Sequence, residues 1–193
     1  MRSKSLISQV TARMFILFLL SAIATAQNPP NTGDPYLSRG NPKSPDGSLE
    51  WTVGTTNPIH YELVHLPEGK ALATVNAYYP EANRSNIRYA NAYGVFWNED
   101  GTVVALDELN RRRAGHLYFF ILHNGTVREI RAENIFPIPA SADEGRVVVD
   151  PGWVSRTKIQ VRQALKTKTG EFVSRYYTVD FANPDDVKIL PGG

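Results

Sequence analysis

Short runs of hydrophobic residues mixed with polar ones make up most of the chain, and Gly, Pro, Asn or Asp closes each run. Runs of this kind, rich in β-branched and aromatic side chains, are typical of β-strands. They cover residues 49–53, 61–66, 72–77, 93–97, 102–106, 116–123, 126–130, 146–149, 158–165 and 172–181. A helical period of about 3.6 residues is absent over any long stretch, and residues 104–113 are the only candidate for a short helix, although the three arginines in it could equally end a hairpin. We therefore expect an all-β fold of antiparallel strands.

Two glycine turns predict hairpins. Asn124-Gly125 lies between two strand-like runs and tolerates the positive φ angles of a type I′ turn. Gly170 occupies the corresponding place between residues 158–165 and 172–181. In the strand that follows Gly170, aromatic and polar residues occur at both odd and even positions, so the pattern does not identify the buried face.

The first 26 residues have the features of an export signal. Basic residues are followed by an apolar run of about 11 residues, Met14–Ala24, where a membrane-spanning helix needs roughly 20. The run ends in Ala24-Thr25-Ala26, an A-x-A cleavage site. We expect a cleaved signal peptide over residues 1–26 and a periplasmic or secreted protein without a membrane span; a retained anchor is the alternative.

The remaining chain divides into three parts. Residues 27–44 are rich in Pro and Asn and are expected to form an extended arm, residues 45–182 a single all-β domain, and residues 183–193 a C-terminal tail. A monomer is the default expectation for a domain of this size.

Composition excludes several kinds of chemistry. The chain has no cysteine, which excludes disulfides, thiol nucleophiles and cysteine-based zinc sites, and in an exported domain indicates a bacterial source. The formal charge of +2 depends on the signal segment, which holds three of the 21 basic residues. Without it 18 basic residues face 19 acidic ones, a net charge of −1, so nucleic acid is not an expected partner.

Three segments share one order of turns and strands. They begin at Ser44, Asn98 and Val149; each starts with an Asp-containing turn and contains a later glycine turn, at Gly69, Gly125 and Gly170 respectively. Recurrence at this spacing predicts about three meander units of similar construction.

The second unit resembles a blade of the TolB-like or WD40-like β-propeller repeats, whose signature is W-S-P-D-G, a strand, G-x-x-x-I-Y and a closing glycine turn. The matching residues are Trp97-Asn98-Glu99-Asp100-Gly101, Gly115-His116-Leu117-Tyr118 and His123-Asn124-Gly125, with Ser44-Pro45-Asp46-Gly47 in the first unit. The third unit has Asp150-Pro151-Gly152 instead. The resemblance implies blade-like meanders, but closed propellers typically need four or more blades. Three arrangements stay open: a sandwich of meanders, a ring completed by several chains, or a likeness confined to the turns.

One histidine cluster invites a metal interpretation. His60 and Glu62 share a strand face, and His116 is a candidate third ligand from another strand. This cluster carries the alternative hypothesis of a secreted metal-dependent or hydrolytic enzyme.

The carboxylate pair Asp107/Glu108 places its members on opposite sides of a strand and is expected to be solvated. A nucleophile elbow and a phosphate-binding loop are both absent, so no catalytic residue and no cofactor are assigned.

Aromatic residues crowd the segment before the second unit. They are Tyr78, Tyr79, Tyr89, Tyr93 and Trp97. Aromatic side chains in long polar loops are common in binding surfaces. We expect these residues to form the ligand surface of an exported, non-catalytic binding or scaffolding module, whose partner is an envelope protein or a glycan.

Overall fold

The structure is a computed structural model that describes residues 37–54, 58–77, 92–109 and 115–192. These ranges contain twelve strands and one short helix. The strands are β1 (Leu37–Gly40), β2 (Leu49–Gly54), β3 (His60–His65), β4 (Lys70–Asn76), β5 (Ala92–Trp97), β6 (Val103–Leu109), β7 (Leu117–His123), β8 (Thr126–Arg131), β9 (Ala142–Trp153), β10 (Lys158–Thr167), β11 (Phe172–Asp180) and β12 (Lys188–Pro191), and the helix is α1 (Ala132–Ile135). The predicted all-β fold is confirmed.

The strands form three sheets, each built around an antiparallel meander. A three-stranded sheet has the order β2-β3-β4, a five-stranded sheet β1-β5-β6-β7-β8, and a four-stranded sheet β12-β11-β10-β9. Among the strands that the structure describes, β1 alone pairs in parallel, with β5. Each of the three predicted units supplies most of the strands of one sheet. Their identity as propeller blades stays a prediction.

The central strands of the five-stranded sheet, β6 and β7, are buried on both faces. In β6, Val104 and Leu106 join a first core with the three-stranded sheet, whereas Val103 and Ala105 join a second core with the four-stranded sheet. β7 alternates in the same way. Successive side chains of a strand point to opposite faces, so a strand between two cores can carry a continuous apolar run, as residues 103–106 of β6 do.

This double burial explains one wrong expectation. Residues 104–113 were the helix candidate, yet β6 extends through Leu109. Its continuous apolar run reflects a central strand, which periodicity alone does not separate from a buried helix. No helix in the part of the chain that the structure describes is long and apolar enough to cross a membrane.

Both predicted hairpin turns are confirmed. Asn124 and Gly125 have φ angles of 50° and 74° in the β7–β8 turn. Gly170 has φ 85° in the β10–β11 turn. Residues that bear a side chain rarely adopt these φ angles, whereas glycine does so without a steric cost.

The turns that open the first two units share their hydrogen bonds. The amide of Ser44 donates to the carbonyl of Leu49, and the amide of Leu49 donates to Ser44 Oγ, each at 2.9 Å. Asn98 makes the equivalent two bonds with Val103, again at 2.9 Å. The corresponding residues of the third unit lie inside β9. The first two units therefore open with the same kind of turn.

The Asp107/Glu108 pair is buried rather than solvated, which corrects the sequence expectation. Both side chains are fully buried and lie on opposite faces of β6, as the strand geometry predicted. Asp107 Oδ2 accepts from Arg39 Nη2 at 2.7 Å and from the amide of Val149 at 3.0 Å. Glu108 Oε1 accepts from the Tyr61 hydroxyl at 3.3 Å, on the side of the first core.

Asp107 joins two sheets. Arg39, which pairs with it, also donates to the carbonyl of Val149 at 3.2 Å, so both backbone groups of that β9 residue are bonded to the ion pair. Arg146 of β9 lies 3.6 Å from Asp107 Oδ1. Burial raises the pKa of the Asp107 carboxyl, while Arg39, the Val149 amide and Arg146 act against that rise.

Two of the described strands lie within the segments predicted to flank the domain. β1 lies within the predicted arm 27–44 and pairs with β5. β12 lies within the predicted tail 183–193 and pairs with β11 from Tyr177 to Asp180. Both strands are too short to be recognised from composition, and backbone pairing with an existing sheet orders them.

Substitution of Asp107 tests the junction between the sheets. Asp107→Ala leaves the Arg39 guanidinium and the Val149 amide without their acceptor, so we expect a loss of about 3–5 kcal/mol in the free energy of unfolding. Urea unfolding followed by tryptophan fluorescence measures it. Glu129→Ala is the matched control, because it breaks an Arg131–Glu129 pair of the same 2.7 Å length at the surface. That control should cost no more than about 1 kcal/mol. Equal losses in the two variants would contradict the role of Asp107.

The first turn predicts a low pKa for Asp46. Its carboxylate accepts from Ser44 Oγ at 2.6 Å and from the Ser48 amide and hydroxyl at 3.1 and 2.8 Å, and these bonds lower its pKa from 3.8 to about 2. The pKa of Asp46 is lower in the folded protein than in the unfolded one. Its ionised carboxylate therefore stabilises the fold above pH 3.8, and this stabilisation is lost as the pH falls towards 2. NMR titration of the carboxyl carbon should give this midpoint, and Ser44→Ala should raise it. A midpoint near 3.8 in the unsubstituted protein would refute the assignment.

Candidate functional site

The structure separates the members of the predicted metal cluster. His60 Nε2 lies 3.3 Å from Glu62 Oε1 on β3, so these two side chains do meet. His116 instead lies 3.0 Å, at Nδ1, from Glu133 Oε2 of α1. Within residues 37–54, 58–77, 92–109 and 115–192, no group of three or more His, Asp or Glu side chains is arranged to hold a metal ion. The proposed ligand set His60, Glu62 and His116 is therefore not assembled.

The predicted aromatic surface is represented by two residues only. Tyr78, Tyr79 and Tyr89 lie outside the described residues. Tyr93 is fully buried in the first core, with its ring centroid 5.1 Å from that of Tyr61. Trp97 is half-buried, and its indole N–H donates to the carbonyl of Pro42 at 3.4 Å. The Tyr93 side chain projects from the face of β5 that packs in the first core, so it is not part of a surface open to a ligand.

A cleft of about 570 Å³ opens between α1, the start of β7 and β9. His116, Glu133, Arg146 and Gln163 are among the residues that line it. Gln163 is buried and donates from Nε2 to the carbonyls of Phe136 and Pro137 at 3.2 and 3.3 Å. Arg146 donates to the carbonyl of Glu108 at 3.1 Å, and His116 pairs with Glu133. These polar groups hold neighbouring strands and the helix together.

A second concave surface lies on the outer face of the four-stranded sheet. We call it the trough and define it by the six residues Ala164, Ser174, Arg162, Tyr176, Lys166 and Phe172. All but Tyr176 line a cavity of about 510 Å³. Ala164 and Ser174 are paired across β10 and β11 and form a floor of small side chains. Arg162 and Tyr176 are paired on one side of this floor, and Lys166 and Phe172 on the other.

The cations of the trough are balanced by neighbouring carboxylates. Arg162 Nε lies 2.7 Å from Asp150 Oδ2, and Lys166 Nζ lies 3.3 Å from Glu144 Oε1. Both acids belong to β9, the strand next to β10. Arg146, a third cation that lines the same cavity, lies 3.6 Å from Asp107 Oδ1. The trough is thus rich in hydrogen-bonding groups, and each of these cations has a carboxylate within 4 Å.

Its two aromatic side chains are unusually accessible. Phe172 is 66% exposed and Tyr176 is 50% exposed, whereas Tyr177 and Val179 on the opposite face of β11 contribute to the second core. Leu190 of β12 pairs with Thr178 and extends the apolar surface. Exposed apolar groups that lie close together on a soluble domain mark contact surfaces more often than isolated ones do.

Sequence reasoning missed this surface for a physical reason. Aromatic residues lie on both faces of β11, because the inner face packs on the second core and the outer face carries Phe172 and Tyr176. The signal available in the sequence was that Phe172, Ser174 and Tyr176 occupy alternate positions. Alternate positions of a strand share a face, so a small polar residue lies there between two aromatic ones. The choice of face needed knowledge of where the core lies.

Comparisons of the chain with protein-family models, with curated proteins and with solved structures give no match. A function for this protein accordingly depends on the geometry and chemistry of the surfaces described above.

The exposure of the trough aromatics predicts that they contribute little to stability. We expect Phe172→Ala and Tyr176→Ala each to change the free energy of unfolding by no more than about 0.5 kcal/mol, as exposed substitutions usually do. Phe120→Ala is the contrast, because Phe120 is fully buried against Trp51, with ring centroids 4.8 Å apart. It should cost about 3–5 kcal/mol. Thermal and urea unfolding of the three variants measure the difference, and a large loss in the trough variants would assign those rings a structural role.

Proposed function

We propose that the protein is an exported, non-catalytic binding module that holds its partner on the trough. The observation that carries this proposal is the pair of exposed rings, Phe172 and Tyr176, on either side of a floor of small residues. Accessible aromatic side chains supply much of the binding energy of many recognition surfaces, because they bury a large area with few rotatable bonds.

The setting of these rings favours recognition by a rigid surface. β11 is hydrogen-bonded to β10 on one side and to β12 on the other, and β10 is bonded in turn to β9. Side chains that project from a strand within a sheet are held in position better than side chains on loops. A ligand therefore meets a surface that needs little reordering when it binds.

The charges around the trough support binding without catalysis. Arg162 and Lys166 each have a carboxylate partner from β9. General acid–base catalysis needs a group placed to exchange a proton with a substrate, and these charges are instead engaged with each other. Export is supported by the sequence of residues 1–26, which has the charged, apolar and cleavage regions of a signal peptide.

A capture experiment tests the proposal. The purified protein is immobilised and incubated with an envelope extract that contains both proteins and glycans, and bound material is quantified. Because both rings contact the partner, the double variant Phe172→Ala/Tyr176→Ala should retain at least about tenfold less of whatever the parent protein captures, since loss of each ring removes about 1.4 kcal/mol of binding energy.

Val154→Ala is the control for this experiment. Val154 is also 50% exposed, but it lies in the turn after β9 and does not line the trough. This variant should capture as much as the parent. Equal capture by the parent and the double variant, or no capture by the parent, would refute the proposal.

A further inference from the structure

We infer that the trough binds an extended, uncharged polysaccharide chain. This inference rests on the proposed function and gives the chemical class of its ligand. It follows from three features of the surface: the spacing of its rings, the balance of its charges and the small side chains of its floor.

The spacing of the rings requires a long ligand. Phe172 and Tyr176 are four residues apart on one face of β11, which places their Cα atoms about 13 Å apart, given a rise of about 3.3 Å per residue. A ligand that contacts both rings must span that distance. A chain of several sugar units is long enough, whereas a single sugar ring is not.

The aromatic rings of Phe172 and Tyr176 also suit the kind of surface that a sugar offers. One face of a pyranose ring presents several C–H groups, which pack on the face of an aromatic ring, and the hydroxyl groups then lie at the edge. In the trough the polar side chains are placed to meet such an edge, because Arg162 is the register partner of Tyr176 and Lys166 that of Phe172. Each aromatic ring therefore has a hydrogen-bonding neighbour on the adjacent strand.

The balance of charge excludes other ligands. A hydroxyl group both donates and accepts hydrogen bonds, so it suits a site that holds donors and acceptors together. The Arg162–Asp150 and Lys166–Glu144 pairs form such a site. An anionic polymer would have to compete with the two carboxylates for the cations. An apolar segment would cover the charged pairs and remove their hydration, which is costly.

The floor leaves room for a chain. Ala164 and Ser174 have the smallest side chains of the three rows, and the cavity above them is about 510 Å³. Ser174 adds a hydroxyl that donates and accepts at the centre of the surface. A sugar chain that runs along β11 thus passes from one ring to the other over a shallow, polar floor.

Native gel electrophoresis in the presence of polysaccharide tests the inference. The purified protein is run in gels that each contain one neutral polymer (hydroxyethylcellulose, xyloglucan, galactomannan or dextran) or one anionic polymer (alginate or heparin). We expect at least one neutral polymer to retard the protein and the anionic polymers not to do so. Phe172→Ala and Tyr176→Ala should each weaken the retardation about tenfold in apparent Kd. Val154→Ala, which lies outside the trough, should leave it unchanged.

Three results would overturn the inference: no retardation by any neutral polymer, retardation by alginate or heparin alone, or retardation that survives loss of either ring. These results are separable from failure of the proposed function. If capture from the envelope extract depends on Phe172 and Tyr176 while every neutral polymer leaves migration unchanged, the trough is a binding surface for another kind of partner. The unfolding measurements on the same variants show whether any loss of binding reflects loss of the fold.

Discussion

The junction between the central and the four-stranded sheet depends on one ion pair, Arg39–Asp107, whose carboxylate is fully buried. β9 is the edge strand of its sheet, so backbone groups on its outer side need partners that β10 does not supply. At Val149 the ion pair supplies a partner for each backbone group, since Asp107 accepts from the amide and Arg39 donates to the carbonyl. A buried carboxylate is tolerated only with such partners. β1, β6 and β9 must therefore all be in place together, which makes the junction specific to one arrangement.

The position of β9 determines which residues face outward on the strands beside it. Val149 pairs with Val161, and both lie in the second core. Because side chains alternate along a strand, Arg162 and Tyr176 in the next row must point to the outer face. A shift of one residue in this register would bury the charged row and expose the core row. The trough is thus a consequence of the same contacts that dock the sheet.

Local signals in the sequence predicted much of the fold and little of the site. The Asn124-Gly125 turn, the Gly170 turn and the all-β class follow from backbone preferences that each short segment carries by itself. The burial of Asp107 and Tyr93 does not, because it depends on two other sheets that cover β5 and β6. The histidines of the predicted metal cluster have a similar history: His60 lies on β3, whereas His116 directly precedes β7 and lies 3.0 Å, at Nδ1, from Glu133 Oε2 of α1.

The two cores on either side of the five-stranded sheet also explain why Phe172 and Tyr176 of β11 belong to neither core. Phe119 and Phe181 pack together in the second core, with ring centroids 5.3 Å apart, and Phe136 packs on Tyr177 at 5.1 Å. These contacts lie on the inner face of the four-stranded sheet. Rings on its outer face add nothing to either core, yet they carry apolar surface that water solvates poorly. An exposed ring pair beside mutually satisfied charges is therefore suited to a ligand that brings both apolar ring faces and its own hydrogen-bonding groups.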